Sequence, residues 1–94
     1  MTTFFLLGKY SAEALRSISK ERTAEAMQVV QALGGEVKSM HALLGPYDLV
    51  MIVDLPGTEE AVQASVKLAR LTGIAFVTAP ALPVATFDQL MVKL

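Results

Sequence analysis

The sequence contains no cysteine, no tryptophan and a single histidine, and only 18% of its 94 residues are charged. Each shortage removes a class of function. Without cysteine there is no disulfide framework, no thiolate metal site and no thiol nucleophile. One histidine, with no acid at ligand spacing beside it, cannot assemble a metal centre, and no metal or other cofactor is expected. No apolar run exceeds five residues, far short of the roughly 20 that a membrane helix requires. Neither sign of charge dominates: eight basic and nine acidic side chains leave a net charge of −1 with no basic cluster. That balance argues against nucleic acid as a partner. Met1-Thr2-Thr3-Phe4 lacks the basic region and cleavage site of a signal peptide, so cytoplasmic residence is the expectation.

The chain is rich instead in apolar material, 53% of its residues. Residues 1–94 suffice for one domain with a single modest core. So small a body has too much surface to hide that fraction. Part of it is expected to be covered by a second copy of the chain, as a homodimer or higher assembly.

The stretch from Leu43 to Asp54 organises the rest. Gly45-Pro46 punctuates it, Tyr47-Asp48 comes next, and Leu49 to Val53 is a continuous apolar run that suits a mid-sheet strand covered on both faces. Thr3 to Lys9 reads as a second buried strand, and Ser11 as the N-cap of the first helix, with Glu13 in the first turn. Ala12 to Leu33 contains no Pro or Gly. One helix of that length would run roughly 33 Å, more than the sheet requires. A joint is expected near Ser17-Ile18-Ser19, with the main helix beginning about Lys20 and turning Met27, Val30 and Leu33 inward beside Thr23 and Ala26. Gly34-Gly35 ends it.

Glu36 to Leu44 alternates only partly and is more polar, as an edge strand would be. Pro56-Gly57-Thr58-Glu59-Glu60 reads as a turn followed by an N-cap with acids in the first turn. A second helix runs from Glu59 to Thr72, with Val62, Val66 and Ala69 on one side, Leu68 and Leu71 adjoining, and Gly73 closing it. Ile74 to Thr78 is the last strand, and Pro80 and Pro83 mark it as an edge. Ala85 to Leu94 reads as a short helix or strand-like tail with Phe87, Leu90 and Met91 on one face.

The order β-α-β-β-α-β, with the first and third strands central, predicts an α+β fold of the ferredoxin-like type. It has a four-stranded antiparallel sheet in order 4-1-3-2 and both helices on one face. A two-residue Gly45-Pro46 loop would set Ala42 opposite Leu49, His41 opposite Val50 and Met40 opposite Met51; a longer or bulged loop would shift this register. In that register Met40, Ala42, Leu44, Tyr47, Leu49 and Met51 share the face suited to lie under helices. Ser39, His41, Leu43, Asp48, Val50 and Ile52 share the helix-free face. Small-molecule pockets are generally built from such a mixture of a few polar groups in an apolar wall.

The residues also resemble a known family. Gly45-Pro46-Tyr47-Asp48 fits the Gly-x-Tyr-Asp motif of GYD-domain proteins. The surrounding pattern is similar too: the Tyr10-Ser11 entry to the first helix, Leu33-Gly34-Gly35, and Val37-Lys38-Ser39. The resemblance covers about residues 2–78 and departs at Pro46, where acidic residues are usual, and at Ala79-Pro80-Ala81. It implies a dimeric α+β barrel, in which two ferredoxin-like sheets face each other around a cavity. A similar turn occurs in the ligand-sensing domain of feast/famine transcription regulators, here without a DNA-binding segment.

Five residues are candidates for ligand contact: His41, Asp48, Lys9, Tyr10 and Tyr47. Each has a plainer explanation. An Asp after a turn accepts backbone N–H bonds and locks the hairpin, and a Tyr there packs its ring with its hydroxyl in water. His41 alone would titrate near neutrality unperturbed, yet a lone edge-strand histidine is commonly a surface residue. It stands one diagonal step, about 7–8 Å, from Asp48, within reach of a shared ligand. Lys9 and Tyr10 would line the cavity mouth or be solvated. No serine has a base partner or an elbow motif. Two functions fit these residues. One is a non-catalytic module binding a small, largely apolar molecule or another protein. The alternative, implied by the resemblance, is a cofactor-independent monooxygenase-like or haem-active enzyme, with His41 as the only plausible axial ligand. The lack of an acid–base set favours the first.

Overall fold

A computed structural model describes residues 1–94. Its elements run β1 (Thr2–Tyr10), α1 (Ala12–Arg16), α2 (Lys20–Ala32), β2 (Glu36–Ala42), β3 (Leu49–Leu55), α3 (Thr58–Thr72), β4 (Ile74–Pro80) and α4 (Val84–Val92). The strands form one antiparallel sheet in the order β2-β3-β1-β4, the expected ferredoxin-like arrangement. No helix is long and apolar enough to cross a membrane.

Local chemistry explains the boundaries. Ser11 and Ser19 each accept a backbone N–H at 3.0 Å, from Ala14 and Arg22 respectively, so two N-caps divide what could have been one helix. At the far end of α2, Gly34 N–H donates to Gln31 and Gly35 N–H to Val30. That pair is a Schellman closure with Gly34 in the left-handed region at φ 84°. Gly35 is required for a different reason. A Cβ there would stand 2.2 Å from the Asp54 carbonyl oxygen, so only glycine lets the chain pass β3.

One side of the sheet is packed. Phe4 and Leu6 of β1 and Met51, Val53 and Leu55 of β3 are buried against Ala26, Val29 and Val30 of α2 and Ala61, Ala64 and Leu68 of α3. The helices are rotated from the sequence expectation. Val62 and Val66 are 58% and 47% exposed, while Ala61 and Ala64 meet the sheet. Ranking by hydrophobicity favours valine, but two alanines a turn apart let α3 approach the strands closely, which turns the helix by roughly a third of a revolution. Met27 likewise lies outside, and Val29 takes its place within. The β2–β3 register is as expected from Ala42↔Leu49 to Ser39↔Ile52; a bulge at Lys38 then shifts it, so that Val37 pairs with Val53. Strands β1 and β3 are covered on one face only: Val50 and Ile52 are half-buried and Phe5 is 36% exposed. The tail Val84–Val92 is helical and buries no residue.

Candidate functional site

Alternation along each strand fixes what the helix-free face displays. Thr3, Phe5, Leu7 and Lys9 of β1 pair with Asp54, Ile52 and Val50 of β3 and with Ala79, Val77 and Ala75 of β4. His41 and Ser39 extend the rows opposite Val50 and Ile52. The centre is therefore apolar, made by Phe5, Leu7, Val50, Ile52 and Val77, and polar groups gather at its two ends.

At one end lies the Tyr47-Asp48 turn. Asp48 N–H donates to the Gly8 carbonyl at 2.8 Å, and the Asp48 carbonyl accepts Leu43 N–H at 2.9 Å. Its carboxylate accepts Tyr10 N–H at 2.9 Å, just past the last β1–β3 pair at Gly8 and Leu49. The side chain thus continues the ladder by one rung where the backbone has turned away. Lys9 Nζ donates to the Pro46 carbonyl at 3.1 Å and fastens the same turn from the other side. His41 is exposed on the edge strand on the helix-free face, and Tyr47 is half-buried in the turn.

Tyr10 does not join them. It alternates with Lys9 and so lies on the helix side, where the Arg22 guanidinium stands 5.8 Å from its ring centroid. Arg22 is in turn anchored by donating to the Ala14 carbonyl at 2.6 Å. Tyr10 and Arg22 line a small pocket of about 50 Å³ whose apolar walls include Met40, Met51 and Phe76, room for a few waters. The expectation of Tyr10 at the rim of a helix-free cavity is corrected by strand parity.

The opposite end carries a cluster that sequence reasoning missed. Thr3 Oγ1 donates to Asp54 Oδ1 at 2.6 Å, and Lys38 Nζ stands 3.5 Å from Asp54 Oδ2. The Thr3 hydrogen bond, aided by the Lys38 charge and opposed by partial burial, holds the Asp54 carboxyl below its ordinary value. The signal was available: Asp54 follows the apolar run at the parity of Val50 and Ile52. Its partners could not be read, because Thr3 is 51 residues away and Lys38 comes within reach through the bulge. Beside this cluster lies an open groove of about 370 Å³ whose walls include Phe5, Ser39, Ile52, Leu82 and Pro83. No three His, Asp or Glu side chains converge anywhere.

The face therefore offers an apolar platform between two polar ends, with no acid poised beside His41. Such a surface can bind; it holds no assembled proton-transfer pair.

Comparison with known proteins agrees with this architecture. A family model described as the GYD domain matches residues 4–91, reaching further into the C-terminal segment than the motif-based resemblance did. A Thermus thermophilus protein named glutamine synthetase and cystathionine beta-lyase binding protein is 31% identical over 88 residues, 90% of this chain and 93% of its own length. Among solved structures, a hypothetical protein from Pyrococcus horikoshii superposes with a TM-score of 0.56 at 25% identity, over 88% of this chain and 92% of that one. The leucine response regulatory protein of Mycobacterium tuberculosis gives a TM-score of 0.58 at 12% identity over 87% of this chain, a likeness of fold alone. The chain spans 51% of that regulator's length.

Proposed function

The chain belongs to the GYD domain family, and from that premise we propose that it is a non-catalytic binding module, working as a homo-oligomer that docks onto metabolic enzymes. The carrying observation is the helix-free face. Leu7, Val50 and Ile52 stay only half-covered in the single chain, and Phe5 and Val77 are 36% and 50% exposed. A continuous apolar patch in mid-sheet is poorly matched to water and well matched to a second identical face. Two such faces set against each other would enclose a space walled by apolar side chains. His41 and Lys9 stand at one end of it and the Thr3–Asp54–Lys38 cluster at the other, a setting for a small apolar ligand with one polar group. Asp48 serves this site by holding the turn, and His41 stands exposed on the same face. The name of the Thermus relative supports enzymes as the partner class.

The test has two parts. Light scattering at micromolar concentration is expected to give a mass of two or more chains, and Val50→Lys to give a folded monomer. A wild-type mass of 10.1 kDa would remove the reading. Immobilised protein should then retain glutamine synthetase or cystathionine β-lyase from the same source; retention of neither would refute that partner class.

A further inference from the structure

The helix α4 has no local reason to exist. Nine residues are too few for an isolated helix to persist in water. Its start, Pro83, offers no side-chain cap, its first turn has no acid and its last turn no base. Nor does the body of the chain hold it, since none of its residues is buried. Phe87, Leu90 and Met91 lie along one stripe at i, i+3 and i+4 and are 50%, 42% and 43% exposed. A short, uncapped, apolar helix of this kind requires a surface to lie on.

The dimensions of the chain tell how large that surface is. Its accessible area is 6186 Å², against about 5,300 Å² for a compact monomer of this mass. The radius of gyration is 14.2 Å, against about 12.4 Å for a compact domain of this length. The excess of roughly 900 Å² matches the share, about 800 Å², that each partner gives to a standard interface. The direction in which the chain leaves the sheet says where the surface is. Ala81 N–H still donates to Thr3 at 2.9 Å, extending the β1–β4 ladder. Leu82 and Pro83 then turn across the helix-free face and line its groove with Phe5 and Ile52. The arm therefore sets out from the helix-free side and away from its own helix layer.

We infer that α4 is an exchanged arm, whose Phe87–Leu90–Met91 stripe seats on the helix-free face of a second copy of this chain and closes the groove there. The inference rests on the sheet-to-sheet association proposed above and adds the occupant of the groove. Two-fold symmetry makes the exchange reciprocal: each groove has its own Leu82 and Pro83 on one side and the other chain's α4 on the other. A ligand held between the sheets would then be shut in by a segment of the other chain, so the site is incomplete in one copy.

The test uses the full chain with benzoyl-phenylalanine in place of Phe87, mixed with isotope-labelled unmodified chain and illuminated. Cross-links are expected between a modified and a labelled chain, at strand peptides carrying Phe5, Ser39 or Ile52, which line the groove. Cross-links only within one chain, or onto the outer surfaces of α2 and α3, would overturn the inference. Leu90→Asp is expected to weaken self-association roughly 30-fold, as loss of one central apolar anchor does, with the circular dichroism of the sheet unchanged. If Val50→Lys dissociates the assembly while Leu90→Asp leaves its dissociation constant unaltered, the arm is refuted and the sheet association stands. A wild-type monomer would refute both.

Discussion

Replacing Asp48 by alanine removes one hydrogen bond and leaves its neighbours in place. The backbone bonds of residue 48 to Gly8 and Leu43, 2.8 and 2.9 Å long, do not involve the side chain and survive. What is lost is the carboxylate that accepts Tyr10 N–H at 2.9 Å, and with it the final rung between β1 and the turn. The stranded amide belongs to a half-buried residue at a sheet end, so water reaches it in part. The cost is then at the lower end of the usual range for an unpaired group, about 1–2 kcal/mol. In a domain of this size that corresponds to a fall in melting temperature of about 5–15 °C, measured at one fixed protein concentration because association would shift the midpoint. Asp48→Asn separates the bond from the charge. Its amide oxygen can accept the same N–H, so most of the stability should return. Amide hydrogen exchange reads the site directly: protection of Tyr10 N–H should drop in Asp48→Ala and persist in Asp48→Asn. An alanine variant with unchanged melting temperature and a protected Tyr10 amide, but with lost binding, would refute the structural role of this carboxylate.

Three other outcomes are expected. Gly35→Ala places a methyl group against the Asp54 carbonyl, 2.2 Å from its oxygen, and should cost about 3 kcal/mol or more by urea denaturation, since backbone must move. Leu68→Ala empties a fully buried position beneath α3 and should cost about 2–5 kcal/mol in the same assay. Asp54, whose pKa is lowered chiefly by the Thr3 hydroxyl, contributes stability that is present above its unfolded-state pKa and is lost as pH falls through the lowered folded value. Thr3→Val should raise that value towards the ordinary one in a carbon-13 carboxyl titration and shrink the part of the stability that is lost on acidification; an unchanged titration would show that the hydroxyl is not its cause.

Much of the architecture could be read because it is written in local signals. Ser11 and Ser19 cap, Gly34-Gly35 closes, and the connection from Leu43 to Asp48 keeps the register that carries the alternation of Leu49 to Val53 to the correct faces. The helix rotations could not be read the same way. Whether Ala61 or Val62 meets the sheet depends on how near α3 can come to β1 and β3, a distance set by packing across the whole core. The Lys38 bulge was equally hidden: Val37-Lys38-Ser39 alternates acceptably in either register, and only the pairing with β3 decides. Of the candidate site residues, Lys9, His41 and Asp48 fall at one end of the helix-free face, while Tyr10 crosses to the other side by parity. The Thr3–Asp54–Lys38 cluster depends on residues 51 apart in sequence, and no window along the chain brings them together.

The Lys38 bulge bears on how copies of this chain can add to one another. Open sheet edges invite further strands, and a protein with two clean edges can polymerise into a ribbon without end. Here β2 presents an irregular rim with an extra residue at Lys38, whose ammonium reaches inward to Asp54 of β3. The far rim, β4, runs out at Pro80, which has no N–H to offer an incoming strand. Growth along the hydrogen-bonding direction is obstructed at both rims while the broad face stays open. The association proposed above, sheet face to sheet face, would use up both surfaces at once and end in a finite particle rather than a fibre.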